Sequence, residues 1–112
     1  MTDEARTTLA DGTQVYPDHR NIIPAGTRKG QQEGYVVLAE EERAKGFVRP
    51  VRRSYVHEKC GVVTRMGQTL AETYARDPHF YSGTFCCGCR SHFPVGEDGE
   101  FIWDGTNEKV GT

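Results

Sequence analysis

Two short clusters of metal-binding residue types constrain this chain more than any other feature of its sequence. Residues 57–61 read His-Glu-Lys-Cys-Gly, and residues 86–92 read Cys-Cys-Gly-Cys-Arg-Ser-His. In each cluster two residues separate a pair of potential ligands, a spacing at which a tight turn directs both side chains at one ion. Because zinc accepts thiolate and imidazole in a tetrahedral shell, the clusters predict one structural Zn²⁺ bound by four side chains: His57, Cys60, Cys86 and Cys89.

A glycine supports the choice of the first pair. Gly61 directly follows Cys60, and a metal-holding turn often needs a residue with positive φ just past its second ligand. Glycine adopts that conformation without steric cost. Arg90 has the equivalent place after Cys89, so the match in the second cluster is weaker.

The second cluster contains two spare candidates. His92 could replace His57 as the fourth ligand if the first turn is oriented differently. Cys87 adjoins Cys86, and neighbouring side chains of an extended chain point in opposite directions, so we do not expect both to bind one ion. The sequence leaves the choice between the two histidines open.

Other roles for cysteine are disulfides and buried free thiols. The first 20 residues contain charged side chains and no apolar run of the kind that forms a secretory signal. We therefore expect a reducing compartment, in which these paired spacings indicate a metal site before a disulfide. A thioredoxin-like redox role requires a helix after the C-x-x-C motif, and residues 90–94 are a poor helix because they end in Pro94.

A catalytic zinc site would need three protein ligands and an open position for water. The deaminase signature combines H-x-E with P-C-x-x-C, whereas here His57 and Glu58 are adjacent and Phe85 takes the place of the proline. The metalloprotease motif H-E-x-x-H is absent, since Gly61 stands where its second histidine would be. We expect no enzymatic activity, and a metal-dependent enzyme is the least favoured function.

The composition agrees with a small domain that a metal ion stabilises. The 112 residues are 36% hydrophobic and 27% charged, which supports one domain with a modest core. Zinc binding would contribute folding free energy that such a core lacks. No stretch approaches the roughly 20 apolar residues that cross a bilayer, so we expect a soluble protein without membrane association.

The chain divides into two predicted regions. Residues 1–34 are polar, rich in glycine and proline, and contain few sizeable apolar groups, so they predict an extended N-terminal arm that is irregular by itself. Residues 35–112 predict a zinc-binding α+β domain with short antiparallel strands and one central helix. An arm this poor in apolar residues usually needs a partner surface to hold it in place.

Periodicity predicts the elements of the second region. Residues 35–38 form a short apolar run typical of a buried strand, and the acidic residues 40–42 after it indicate a solvated helical turn or loop. Residues 66–76 predict a helix, because Met66, Leu70 and Tyr74 recur at four-residue spacing. The Asp-Pro pair at 77–78 predicts its end.

Two further segments have features of strands. Residues 47–56 are rich in β-forming types, but Pro50 cannot donate to a sheet ladder, so they predict an edge strand or an extended arm. Residues 93–95 and 101–103 flank a Gly-Glu-Asp-Gly-Glu segment with Asp-Gly at its centre, a pattern typical of a β-hairpin. Such a hairpin would pack Phe101 and Trp103 beside the metal site.

Positive charge is concentrated between residues 43 and 65, which hold seven basic side chains and one acidic side chain. A basic extended stretch with interleaved aromatic rings could follow a phosphate backbone and stack on bases. The overall net charge of −2 instead favours pairing with acidic groups of this protein or of a protein partner. The candidate contacts to a partner or a nucleic acid are Arg49, Arg52, Arg53 and Tyr55.

Several runs of the sequence resemble a family of small proteins of tailed bacteriophages and prophages. They are residues 41–61 with Gly-Phe-Val-Arg-Pro-Val-Arg-Arg-Ser-Tyr and Cys-Gly, residues 70–78, and Trp-Asp-Gly at 103–105. The resemblance covers residues 35–111 and implies an origin rather than a mechanism. The two clusters also resemble zinc-ribbon knuckles, although His57 replaces one cysteine and a predicted helix lies between them.

These features together predict a non-enzymatic, zinc-stabilised phage protein that acts as a structural or interaction module. We expect it to bind a protein partner in a larger virion assembly through its N-terminal arm, in the host cytoplasm or the virion. The alternative is a nucleic-acid-binding or polymerase-directed regulator that uses the basic residues 49–53. A small-molecule substrate is not expected.

Overall fold

The computed structural model describes residues 6–112 and has the α+β composition that the sequence predicts. Within this range, no helix is long and apolar enough to cross a membrane. A 3₁₀ turn spans Pro17–Arg20. The helices are α1 (Glu40–Arg43) and α2 (Gln68–Arg76), and the strands are β1 (Thr7–Leu9), β2 (Val36–Leu38), β3 (Ser54–His57), β4 (Val63–Arg65), β5 (Gly83–Cys86), β6 (Ser91–Pro94) and β7 (Phe101–Trp103).

The strands of the described residues form three small antiparallel sheets. One has the order β4-β3-β7, and the other two are the pairs β5-β6 and β1-β2. In the three-stranded sheet, Tyr55 lies opposite Trp103 and His57 opposite Phe101. This register places the last residue of β3 beside the first residue of β7, at the edge where the metal-binding residue types meet.

Helix α2 supplies one side of the core. Tyr74 of this helix and Met66 just before it are buried in a cluster that also contains Tyr55 and Trp103. Leu70 of the helix packs against that cluster. The four-residue spacing of apolar side chains therefore predicted the helix, which begins at Gln68, two residues after the predicted start. It ends before Asp77, as the Asp-Pro pair predicted.

The predicted hairpin over residues 93–103 is wrong. Strand β6 pairs with β5, whereas β7 pairs with β3. The Asp-Gly pattern does mark a turn, and the N–H of Glu100 donates to the carbonyl oxygen of Pro94 at 2.9 Å. A local turn pattern does not choose the pairing partner, because β7 gains more by burying Phe101 and Trp103 against Tyr55.

Of the two alternatives predicted for residues 47–56, the edge strand is wrong in its extent and position, whereas an arm outside the sheets describes residues 47–53. The strand begins only at Ser54, and β3 is the central strand of its sheet. Residues 47–53 run outside the sheets and are fixed to the end of α2, since the N–H groups of Val48 and Arg49 donate to the carbonyl oxygen of Ala75 at 2.8 and 3.1 Å. Pro50 thus lies beyond the ladder that it would have interrupted.

The described part of the N-terminal arm pairs with the rest of the chain. Strand β1 pairs with β2 across the predicted boundary between residues 34 and 35. The hydroxyl of Thr69 donates to the carbonyl oxygen of Ala10 at 3.0 Å, which joins the arm to α2. Residues 1–5 of the predicted arm lie outside the described residues, and the division into an arm of 1–34 and a domain of 35–112 stays a prediction.

The hydroxyl of Thr73 connects α2 to β2. It is fully buried, accepts the N–H of Leu38 at 3.2 Å and donates to the carbonyl oxygen of Thr69 at 2.8 Å. We expect Thr73→Val to cost about 1–3 kcal/mol of unfolding free energy, because the Leu38 N–H loses its acceptor while the side-chain shape is kept. Hydrogen exchange at the Leu38 amide should accelerate.

Thr73→Ser is the matched control, because it keeps the hydroxyl and removes only a methyl group. In this variant the hydrogen-exchange protection of the Leu38 amide should equal that of the wild type, once the difference in global stability is taken into account. Equal protection in the valine variant would contradict the role of the hydroxyl.

Candidate metal centre

Four side chains of the predicted set meet at one point of the structure. The ligand atoms of His57, Cys60, Cys86 and Cys89 all lie within 4.8 Å of one another, and together they could hold a metal ion. His57 and Cys86 are buried, whereas Cys60 and Cys89 are exposed. The group therefore lies at the surface, with one buried residue from each cluster beneath it.

The first turn forms where β3 ends. His57 is the last residue of the strand, and its carbonyl oxygen accepts the N–H groups of Cys60 and Gly61 at 3.2 and 2.7 Å. Gly61 has a φ of +74°, so it supplies the positive φ that the sequence predicted. The turn folds Cys60 back over the end of the strand beside the His57 ring.

The second turn repeats this geometry at the end of β5. The carbonyl oxygen of Cys86 accepts the N–H of Arg90 at 2.7 Å, and Arg90 has a φ of +54°. The N–H of Cys89 also donates to the Cys86 sulfur at 3.4 Å. Arg90 therefore adopts the conformation that glycine supplies in the first turn, and the weaker sequence match did not change the backbone.

The donor distances fit one tetrahedral ion. The sulfur atoms of Cys60 and Cys86 are 3.5 Å apart, and Nδ1 of His57 is 3.3 Å from the Cys60 sulfur and 3.6 Å from the Cys89 sulfur. With metal–sulfur bonds of about 2.3 Å and metal–nitrogen bonds of about 2.0 Å, a tetrahedron has edges of about 3.5–3.8 Å. These three distances are close to such edges, and the remaining pairs lie within 4.8 Å, so binding an ion of this kind needs movements of about 1 Å at most.

Glu100 orients the histidine. Nε2 of His57 donates to its carboxylate at 2.8 Å, which leaves Nδ1 facing the thiols. The ring is also packed between Phe93 and Phe101, with centroid distances of 4.4 and 4.9 Å. A carboxylate behind a histidine fixes the tautomer and orientation with which the ring binds a metal. Sequence reasoning missed Glu100, because no motif relates it to His57.

The same contacts shift the pKa values of His57 and Glu100. Burial of the His57 ring opposes its protonation, but the hydrogen bonds with Glu100 and Cys60 outweigh this effect and raise the pKa of His57. The hydrogen bond from His57 lowers the pKa of Glu100. The Glu100 carboxylate therefore stays ionised to a lower pH than an isolated carboxylate, and it remains an acceptor for Nε2 of His57.

The pKa values of the two exposed thiols, those of Cys60 and Cys89, shift in opposite directions. Donation from the Val62 backbone, assisted by His57, lowers the pKa of Cys60 to about 7. Loss of solvent around its sulfur and the neighbouring thiols raise the pKa of Cys89 to about 11. Thiols this close cannot all ionise without a cation, and a bound metal removes that penalty.

Two candidates lie outside the group. Nε2 of His92 is 2.9 Å from the hydroxyl of Tyr35, and the burial of its ring lowers the pKa of His92. The thiol of Cys87 donates instead to the carbonyl oxygen of Val63 at 3.4 Å. The structure thus brings His57 into the group, and Cys87 points away from Cys86 as expected.

The predicted partner contacts are mostly occupied within the chain. Arg52 forms an ion pair with Glu108 at 3.1 Å and lies 4.8 Å over the Trp103 ring. Arg53 donates to the carbonyl oxygen of Met66 at 3.1 Å. Tyr55 is only 2% exposed and donates its hydroxyl to Phe85, so it presents no free ring face. Arg49 alone of the four is exposed.

No family model, curated protein or solved structure matches this chain. The resemblance of residues 35–111 to phage and prophage proteins therefore stays a prediction. A function for the chain rests on the geometry of the four side chains and of the surface around them.

The two turns should respond oppositely to substitution at the residue with positive φ. Gly61→Ala should lower the melting temperature, because a left-handed conformation costs about 1 kcal/mol for alanine although its Cβ would meet no atom within 4 Å. Arg90→Gly should raise it, since glycine relieves the same strain. Thermal unfolding at a fixed free-metal concentration measures the melting temperatures of both variants. A shift of both in the same direction would contradict the equivalence of the two turns.

Removing the carboxylate behind His57 should weaken metal binding. Glu100→Ala should lower the affinity for Zn²⁺ by about 10- to 100-fold, because the ring loses the acceptor that fixes its orientation. Competition with a chelator measures the affinity. Glu97→Ala is the control, since this exposed carboxylate lies in the same loop and should leave the affinity unchanged.

Proposed function

We propose that this protein is a zinc-stabilised interaction module without catalytic activity. The observation that carries the proposal is the convergence of one imidazole and three thiols within 4.8 Å. Three soft sulfur donors and one nitrogen in a tetrahedral arrangement favour zinc over the hard cations, which prefer oxygen ligands.

The number of protein ligands supports a structural ion. Four side chains complete the tetrahedral shell, whereas catalytic zinc sites keep one position for water or substrate. The orienting hydrogen bond from His57 to Glu100 also favours a rigid site. In this proposal the ion links β3 to β5, and its binding free energy stabilises a fold with a small core.

The surface that we propose for partner binding lies on residues 47–51. Phe47, Val48 and Val51 are 47%, 56% and 37% exposed, although they are apolar. Arg49 is exposed beside them, and its guanidinium group contacts the carbonyl oxygen of Thr112 at 3.2 Å. An apolar strip with one positive charge fits a protein surface that combines apolar and acidic side chains.

This surface replaces the N-terminal arm as the main proposed contact. Strand β1 is already paired with β2, so one edge of this part of the arm is occupied within the chain. Phe47, Val48 and Val51 instead present exposed apolar side chains, while backbone bonds from Val48 and Arg49 to Ala75 hold the segment beside the end of α2. A partner within a virion assembly, which the resemblance of residues 35–111 to phage proteins predicts, stays part of the proposal.

Nucleic-acid binding is the second candidate, and it predicts a different behaviour. It requires several free basic side chains and aromatic faces. Arg52 and Arg53 bond within the chain and Tyr55 is buried, so of the predicted set only Arg49 is exposed, beside the ring of Phe47. We therefore favour a protein partner. The basic residues contribute to the fold and to the charge of the surface rather than to base stacking.

The proposed ion should be detected directly and should be required for folding. Protein purified without added metal should contain one zinc per chain by elemental analysis and native mass spectrometry. Cys60→Ala and Cys89→Ala should each lose the ion and the cooperative unfolding transition, because metal binding and folding are coupled.

Cys87→Ala is the matched control, since its thiol lies in the same turn but outside the ligand group. It should retain zinc and cost no more than about 1 kcal/mol. Equal tolerance of all three substitutions, or protein without bound metal, would overturn the zinc proposal.

The salt dependence of DNA binding distinguishes the two candidate functions. Zinc-loaded protein should not bind a mixed-sequence single-stranded DNA in fluorescence anisotropy between 50 and 200 mM salt, a range over which phosphate contacts weaken steeply. The alternative predicts affinity that falls along this series and is lost when Arg52 and Arg53 are both replaced by alanine. Observing that pattern would make nucleic-acid binding the preferred function.

A further inference from the structure

A cleft of about 480 Å³ lies where the N-terminal segment packs against the rest of the chain. Its volume falls within the range of small-molecule sites, which are about 300–1,000 Å³. None of the four candidate metal ligands lines it, so the metal centre does not explain this space. The lining comes from both sides of the predicted boundary: His19, Arg20 and Gln32 from the N-terminal segment, and residues 35–36, residues 80–83 and His92 from the second region.

The ionisable side chains of the lining are basic. Arg20 is exposed and forms no ion pair with a described residue, and His19 and His92 contribute imidazoles. Among the described residues, no acidic side chain lines the cleft. Glu33 accepts instead from the Tyr16 hydroxyl at 3.4 Å. The charge of the lining therefore favours an anionic ligand over a cation.

Hydrogen bonds fix one nitrogen of each imidazole. Nδ1 of His19 lies 2.8 Å from the carbonyl oxygen of Tyr16, which can only accept, so Nδ1 carries a proton and Nε2 is the acceptor of the neutral ring. The hydroxyl of Tyr35 accepts the N–H of Gln32 at 3.2 Å and lies 2.9 Å from Nε2 of His92. It therefore directs its own proton at Nε2, which leaves the ring proton of His92 on Nδ1.

The other nitrogen of each ring is available to a ligand. Nε2 of His19 and Nδ1 of His92 form no hydrogen bond with a described residue, and neither is among the buried unpaired atoms of that part of the chain. With the guanidinium group of Arg20, the cleft thus offers donors from two side chains and an acceptor from a third. All three side chains belong to its lining.

This set of groups matches a phosphate monoester. A phosphate group presents three peripheral oxygens, and its monoanion also carries one proton, so it can accept from Arg20 and His92 and donate to His19. A carboxylate has two oxygens and no proton, so Nε2 of His19 would keep no partner. The neighbouring rings of Phe80 and Tyr81, whose centroids are 4.8 Å apart, line the same cleft and provide an aromatic contact surface.

We propose that this cleft binds a small aromatic phosphate monoester. Arg20, His92 and His19 bind its phosphate group, and its ring packs against Phe80 and Tyr81. The proposal goes beyond the interaction module proposed above, and it depends neither on the zinc ion nor on the surface of residues 47–51. A ligand in this position contacts the N-terminal segment and the second region together, so it strengthens their association.

Phenyl phosphate is the probe, and dimethyl phenyl phosphate is its matched control, because methylation keeps the ring and removes the charge and the proton. In the full chain as purified, phenyl phosphate should saturably shift the amide NMR signals of lining residues such as Gln32, Ser82 and Gly83, with a millimolar Kd. The neutral ester should bind about tenfold more weakly, because it loses the charge-assisted hydrogen bonds. Benzoate should also bind more weakly than phenyl phosphate.

Substitutions test the phosphate contacts. Arg20→Gln should weaken phenyl phosphate binding about tenfold. Arg65→Gln is the matched control, since this arginine is also exposed and outside the cleft, and it should leave the affinity unchanged. His92→Phe keeps an aromatic ring without nitrogens and should weaken binding to a similar extent. If that variant fails to fold, Arg20→Gln still decides, because the Arg20 side chain makes no ion pair that the fold would lose.

Four results would overturn the proposal. They are the absence of saturable shifts with phenyl phosphate, shifts confined to the two cysteine-containing turns, equal or tighter binding of the neutral ester or benzoate, and equal effects of Arg20→Gln and Arg65→Gln. The last result would mean that the anion is attracted by surface charge alone. Elemental analysis of the same sample keeps each outcome separate from the zinc proposal.

Discussion

The meeting of the two turns at His57, Cys60, Cys86 and Cys89 is the contact on which the rest of the structure depends. It joins β3 and β5, which belong to different sheets, and it closes a loop between cysteines 26 positions apart in sequence. Helix α2 lies inside that loop. Closing the loop costs chain entropy, and in the proposed zinc-loaded protein the metal–ligand bonds offset that cost. The helix can then cover the core with few apolar residues.

Local patterns predicted the parts of the site that are local. The two-residue spacings selected the four donors, and the glycine after the first pair predicted its positive φ. Glu100 escaped prediction because it reaches His57 only through the pairing of β7 with β3. The hairpin prediction failed for the same reason. Which strands pair depends on the burial of side chains such as Phe101, and a turn pattern carries no information about that.

The N-terminal segment shows how a polar stretch can be ordered without a core of its own. Its composition predicted an arm that is irregular by itself, and only Leu9 is buried among its described residues. Backbone bonds replace apolar contacts, since β1 pairs with β2 and the Ala10 N–H donates to Tyr35 at 2.8 Å. Sequence periodicity could not indicate this arrangement, because backbone pairing does not require a characteristic side-chain pattern.

The arm also reaches the second turn of the candidate metal centre. A Cβ on Gly30 would lie 2.2 Å from the carbonyl oxygen of Arg90, so glycine is required for the backbones to approach this closely. Arg90 is the residue held at positive φ after Cys89. The position of its carbonyl oxygen follows from that conformation, which the bond from its N–H to Cys86 stabilises. The conformation of this turn and the position of the arm are therefore physically linked through one backbone contact.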